Sequence, residues 1–270
     1  MSSQRYRVTI AYDGTPYAGF QIQPNEPTVQ GEIERALLLM TKGTPISIVG
    51  SGRTDSGVHA SGQVIHFDYP KPMPASAMVR ALNSILKPSV RALTADIVSP
   101  DFHARYDTKS KRYRYRVNLG AVNPPFERHY MLHHPYRTDV ERMEAALPVL
   151  LGTHDFASFC STKTDKTDFT RTLTTARIER VPNSDEIQFV FEGNGFLYNM
   201  VRILVGTSLQ IGDRLRPVDE FERLLQVKDR NQAGPTAAAH GLYLEHVSYL
   251  SDSERIAKRA AWQEQFEQEE

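Results

Sequence analysis

Hydrophobic and polar positions alternate over residues 5–12. Tyr6, Val8, Ile10 and Tyr12 share one face; Arg5, Arg7, Thr9 and Ala11 share the other. A period of two predicts a half-buried strand, ended by the turn pair Asp13-Gly14. The period then changes. Val29, Ile33, Ala36, Leu37 and Met40 recur at helical spacing behind Thr28, a capping residue. Gly43 and Pro45 stop that helix. Short strands are expected at 46–49, 63–69 and 91–98, and a second helix opens at Pro74 with Met78, Ala81, Leu82 and Ile85 on one face. This order, β-α-β-β-α-β, is the ferredoxin-like unit.

The order repeats without sequence repetition. Strands are expected at 111–118, 171–181, 186–192 and 242–249. Thr138 and Glu141 read as a capping box for a helix running to about Leu151, with Pro148 ending or kinking it early. An apolar helix is expected at 196–211 and a short one at 217–227. The fold class is therefore α+β, with two ferredoxin-like halves at 1–108 and 109–250. A charged helix or acidic tail follows at 251–270. Three long loops interrupt the pattern, at 14–27, 50–62 and 152–169, and loops of that length point to function.

Composition narrows the classes. The 270 residues contain 40% hydrophobic and 24% charged positions, which is ordinary globular usage. Cys160 is the single cysteine, so no intrachain disulfide is possible and a reducing, cytoplasmic setting is expected. No apolar run is long enough for a membrane span, and the polar start lacks the apolar core of a signal peptide. Basic and acidic residues balance at 32 each, so a polycation is excluded but a local basic surface is not. The last twenty residues hold six acids against three bases.

The loop Gly50-Ser51-Gly52-Arg53-Thr54-Asp55-Ser56-Gly57-Val58-His59 follows a short strand, as a phosphate loop does. Yet Asp55 stands where a dinucleotide fingerprint needs glycine, and no Gly-Lys-Ser/Thr follows. Glycines framing Arg-Thr-Asp instead aim one carboxylate outward, with Arg53 close enough to favour its charged form. The competing reading is an aspartate that only closes a turn. The nine histidines show no HExxH or finger spacing, and no Gly-x-Ser-x-Gly occurs, which argues against zinc and nucleophile-elbow chemistry.

Residues 101–118 carry six cations against two acids. Along the strand Arg112, Arg114 and Arg116 face one way, and Tyr113, Tyr115 and Val117 the other. Arginines for phosphates and tyrosines for bases suit a nucleic-acid strand; a solvated edge with a tyrosine core face explains the same pattern. Arg202 interrupts the apolar helix of NGFLYNMVRILVG. It either snorkels to the surface or reaches a carboxylate in a cleft, for which Asp55 is the natural partner.

Taken in order, YDGTPYAGFQIQP, GRTDSGVHASGQV, FHARYDTKSKRYRY, NGFLYNMVRILVG and GLYL resemble the tRNA pseudouridine synthase A family over about residues 4–250. Phe20 stands where that pattern leads one to expect tryptophan. The resemblance implies isomerisation of uridine to pseudouridine at nucleotides 38, 39 and 40 of the tRNA anticodon stem-loop, without cofactor or metal, by a cytoplasmic homodimer. It implies one extended, mixed but largely antiparallel sheet with helices on one side. Carried over residue by residue, Asp55 is the nucleophile and Arg202 its charge partner. Tyr113 packs on the target base, Leu244 walls the pocket, and Arg53 contacts RNA or the carboxylate. Arg112 and Arg114, from the reading of the basic strand, are the further expected RNA contacts. A non-catalytic RNA-binding module is the alternative, since sheets with aromatic and basic strands also bind RNA passively. A glycosidase breaking the same bond is a third class.

Overall fold

A computed structural model describes residues 3–162 and 167–258. The first half runs β1 (Gln4–Tyr12), α1 (Val29–Met40), β2 (Val49–Gly50), β3 (His59–Tyr69), α2 (Ala75–Ile85) and β4 (Val90–Ile97). The second half starts with β5 (Thr108–Asn118), β6 (Leu132–His133), α3 (Val140–Ala146) and β7 (Gly152–Asp155). It continues with β8 (Thr170–Arg180), β9 (Glu186–Gly193), α4 (Met200–Gly212), α5 (Glu220–Val227) and β10 (Leu242–Tyr249).

All ten strands join one sheet in the order β4-β1-β3-β10-β5-β9-β8-β7, with β2 added to β3 and β6 to β5. The two halves share an internal order, β4-β1-β3-β2 and β10-β5-β9-β8, although β2 is only the two residues Val49–Gly50. Within each half these pairings are antiparallel. The halves meet where β10 runs parallel to β3, through Tyr243 beside His59 and Leu244 beside Ala60. Gly62 makes this seam possible, because a Cβ there would lie 2.2 Å from the Glu245 carbonyl oxygen.

One face of the sheet is apolar and covered by helices. Tyr6, Val8, Ile10 and Tyr12 of β1 are buried in the same cluster as Ile33, Ala36 and Leu37 of α1 and Met78 and Leu82 of α2. Thr28 caps α1 by accepting from the Gly31 N–H at 3.2 Å, as its sequence position predicts. Burying Ile33 or Leu37 fully stabilises the fold by about 1.5–3 kcal/mol each. Alanine at Leu37 would forfeit that and leave a cavity. The other face carries polar side chains, such as Arg5 paired with Asp68 and Arg7 with Asp96.

Several local expectations need correction. Thr138 does not cap α3. Asp139 does, accepting from the Arg142 N–H, while Thr138 donates to Asp213. The α-helix ends at Ala146 and tightens into a 3₁₀ turn over Leu147–Leu150, where Pro148 has no N–H to continue the ladder. Helix α4 starts at Met200 rather than 196, because Asn199 adopts a left-handed conformation at φ 61°. Part of the loop expected at 152–169 is strand β7, and the strand expected at 46–49 is displaced to Val49–Gly50. Residues 252–258 are helical, and the rest of the helix expected near the end lies outside the described residues.

Candidate active site

Asp55 sits in the eight-residue connection between β2 and β3, beside the seam. That connection is held from several sides. The Ser51 N–H donates to the Val64 carbonyl at 2.8 Å. The Ser51 hydroxyl donates to Gln63 Oε1, and Gln63 Nε2 donates back to the Gly52 carbonyl at 2.9 Å. From across the seam, Lys111 Nζ donates to the Ser51 carbonyl at 2.7 Å. Thr54 Oγ1 shares a buried 2.7 Å hydrogen bond with the Tyr12 hydroxyl, and the Thr54 carbonyl accepts from Phe20 N. Gly19 permits that approach: its φ is +116°, and a Cβ would lie 2.9 Å from the Thr54 oxygen.

His59 closes the connection. Its Nδ1 accepts from the Gly14 N–H, so Nε2 carries the proton donated to the His129 carbonyl at 3.0 Å. Burial holds this imidazole below its usual pKa, against the opposing pull of Asp13, which suits the neutral ring these bonds require.

The carboxylate faces an arginine. Asp55 Oδ2 lies 3.6 Å from Arg202 Nη1, an ion pair too long for a hydrogen bond. Arg202 Nη1 donates to Asn199 Oδ1 at 2.8 Å, and its Nε donates to the Ala237 carbonyl at 2.7 Å. The left-handed Asn199 thus turns the chain into α4 and also pins the guanidinium. Burial pushes the Asp55 carboxyl above its usual range, and the Arg202 charge only partly offsets this. Arg53, expected to tune Asp55, forms no ion pair with it; its side chain is exposed at the same cavity.

A row of side chains runs across the seam on the helix-covered face. Register places Tyr12 beside Ala60, Ala60 beside Leu244, Leu244 beside Tyr113, and Tyr113 beside Phe191. Leu244 is fully buried and Tyr113 is 8% exposed. The Tyr113 ring meets Phe196 edge-on at 4.9 Å. Burial, with Tyr12 and Asp55 nearby, raises the Tyr113 phenol above its ordinary value, and burial pushes the Tyr12 hydroxyl up to about 12. Both phenols are therefore neutral at physiological pH. A cavity of about 700 Å³ opens beside Asp55, lined also by Phe20, Ile22, Arg53, Ser56 and Tyr198.

The structure brings together Asp55, Arg202, Arg53, Tyr113 and Leu244. It does not bring Arg112 and Arg114 to them. Arg112 pairs with Glu192 at 2.8 Å, and Arg114 with Glu179 and Glu245 at 2.7 and 2.8 Å. Arg116 likewise pairs with Glu186 and Glu127. The charges of the three β5 arginines are thus matched by acids from β8, β9 and β10 and by Glu127. Sequence reasoning missed Tyr12, Thr54, Lys111, Phe196 and Asn199 as parts of this site. Alternation marked Tyr12 and Tyr113 as inward-facing, but nothing local placed them in one row. Among the described residues, no group of three or more His, Cys, Asp or Glu is arranged to hold a metal ion, and no helix is long and apolar enough to cross a membrane.

The family model described as tRNA pseudouridine synthase matches residues 8–107 and 146–250. The chain is 54% identical over 247 residues to tRNA pseudouridine synthase A of Latilactobacillus sakei, covering 92% of this chain and 99% of that protein. It is 55% identical over 244 residues to tRNA pseudouridine synthase A of Lacticaseibacillus casei, covering 90% and 99%. The protein of that name from Ligilactobacillus salivarius is 49% identical over 255 residues, covering 94% and 100%. Nearly full-length identity at this level means that the chain belongs to the tRNA pseudouridine synthase A family.

Proposed function

We propose that this protein isomerises uridine to pseudouridine in tRNA, at positions 38, 39 and 40 of the anticodon stem-loop, with Asp55 as nucleophile. The observation that carries the reading is the half-buried Asp55 carboxylate, paired with Arg202 and open to a cavity of about 700 Å³. A passive RNA-binding sheet has no use for a carboxylate held half-buried at a cavity, which costs desolvation.

The target uridine must leave its stack to reach the carboxylate. Tyr113 offers a ring face for the uracil, and Leu244 backs that ring across the strand pair. In its ionised form Asp55 serves by attack on the sugar, attack on the ring, or removal of a sugar proton. Each route gives the same balance. The N1–C1′ bond breaks, the uracil turns within the site, and C5 bonds to C1′. C5 loses a proton and N1 gains one, so the product is an isomer and neither water nor redox chemistry enters. Arg202 favours the anionic form of Asp55 against burial. Arg53, exposed at the cavity, contacts the RNA backbone. The working unit is a cytoplasmic homodimer, whose two-fold symmetry presents two such sites to an elongated substrate.

Incubation of the pure protein with unmodified tRNA transcript, without additives, tests the activity. Pseudouridine mapped at 38–40 is the expected result. Release of free uracil would make the protein a glycosidase, and unchanged tRNA would make it a passive binder.

A further inference from the structure

Tyr198 has no part in the chemistry above, yet it lines the same cavity as Asp55. Its side chain is 43% exposed, unlike the buried ring of Tyr113. Exposed tyrosines are common, but this one stands on a rigid mount. Leu197 before it and Met200 after it are buried at 5% and 1% exposure. The Tyr198 carbonyl accepts from Ser161 N at 3.0 Å, and Met200 N donates to the Leu197 carbonyl at 3.1 Å. Its neighbour Asn199 is fixed in the left-handed region and bonded to Arg202. The turn that orients the partner of Asp55 therefore also fixes the backbone from which the Tyr198 ring projects. No hydrogen bond of the Tyr198 hydroxyl occurs among the described residues, so the polar tip does not anchor it. Ile22, 50% exposed, adds an exposed apolar side chain to the cavity lining.

Two tyrosine rings thus stand near Asp55, Tyr113 buried and Tyr198 exposed at the cavity. The buried ring suits a base that has entered fully. The outer ring suits a base that stays in the strand. When a uridine leaves its stack, the neighbouring nucleotide loses one stacked face to water. A ring held at the cavity mouth can cover that face, and such stacking is tolerant of sequence because every base has a π-face. Resting on the activity proposed above, we propose that Tyr198 is a stacking platform for the nucleotide adjacent to the target uridine. It holds the strand open and is indifferent to the identity of that neighbour. This indifference is what a site acting on three consecutive positions requires.

The test compares wild type, Tyr198→Phe and Tyr198→Ala on tRNA transcript. Tyr198→Phe keeps wild-type KM and kcat. Tyr198→Ala raises KM about 5- to 150-fold, the range that base stacking spans, with kcat changed less than about threefold. The second readout is independent of turnover. In an Asp55→Asn background, stem-loops carrying 2-aminopurine on either side of the target are saturated with protein. Stacking on Tyr198 quenches one of the two probes, and Tyr198→Ala restores its emission while Tyr198→Phe does not. A wild-type KM for Tyr198→Ala, or identical emission with and without the ring, overturns the proposal. Wild-type protein that binds tRNA but forms no pseudouridine overturns the activity itself, and this inference with it.

Discussion

Strand β5 presents two different chemistries on its two faces. Its odd positions, Lys111, Tyr113 and Tyr115, turn toward the seam site: Lys111 bonds the Asp55 loop, and Tyr115 donates to the Ala238 carbonyl near Arg202. Its even positions, Arg112, Arg114 and Arg116, turn to the open face and are matched by Glu192, Glu179, Glu245, Glu186 and Glu127. A count of charges along the strand makes the arginine face look like the RNA surface. Neighbouring strands reverse that impression, because each arginine already has a carboxylate. The cation that matters to the proposed chemistry is Arg202, which arrives from another element and meets the Asp55 carboxylate at the cavity. What distinguishes the faces is whether the partner of each charge is itself accessible to a substrate.

The sharpest break of the comparison is at Asp55. Asparagine there is isosteric and lies in a loop, so stability should move by under about 1 kcal/mol. Pseudouridine formation should fall by about 10³-fold or more, as for loss of a nucleophile, with tRNA affinity nearly unchanged. A variant with a tenth of normal activity would remove Asp55 from the role. Next in size is Arg202→Met. Without the guanidinium the half-buried Asp55 loses its charge partner, so kcat should fall roughly a hundredfold, about 2–3 kcal/mol of transition-state stabilisation. Selective loss of tRNA affinity would instead make Arg202 a phosphate contact.

Tyr113 ranks third. Among the described residues its hydroxyl makes no hydrogen bond, so Tyr113→Phe should retain most activity. Tyr113→Ala should lose the stacking of ~1–3 kcal/mol and some core packing besides. Equal losses from both changes would give the hydroxyl a chemical role. The smallest effects separate Arg53 from Arg112. Arg53→Gln should reduce the slope of log affinity against log salt by about 0.7–0.9, the share of one phosphate contact. Arg112→Gln should leave that slope unchanged and cost about 1 kcal/mol of stability, since it removes a partly solvated ion pair. Equal changes in slope would return the arginine face to the RNA surface.

Much of this was written locally in the chain. The alternation in β1 and the periodicity behind Thr28 placed β1 and α1 within a residue or two. A lone arginine on an apolar helix announced a need for a partner, and the glycine-framed Asp55 offered one. Other features depend on register, which no local pattern encodes. Glu179 and Glu245 lie 65 and 131 residues from Arg114, so only the pairing of strands reveals that its charge is matched. The left-handed Asn199 was hidden inside an apolar run that reads as continuous helix. Thr138 and Asp139 are both capping residues, and the choice between them turns on a contact with Asp213 far along the chain. The short β7 was obscured because its pairing with β8, rather than its own composition, makes it a strand.

The central claim is that burial and Arg202 act in opposite directions on the charge of Asp55. Burial favours the protonated acid and Arg202 favours the carboxylate that the chemistry needs. Removing the guanidinium leaves burial unopposed, so the pKa of Asp55 rises and a higher pH is required to ionise it. The direct measurement is the single-turnover rate of pseudouridine formation against pH, for wild type and Arg202→Met at saturating protein. The acidic limb of the variant should lie at higher pH than that of wild type, with part of the lost rate recovered as pH increases. An acidic limb at the same pH in both proteins would contradict the pairing as the basis of catalysis.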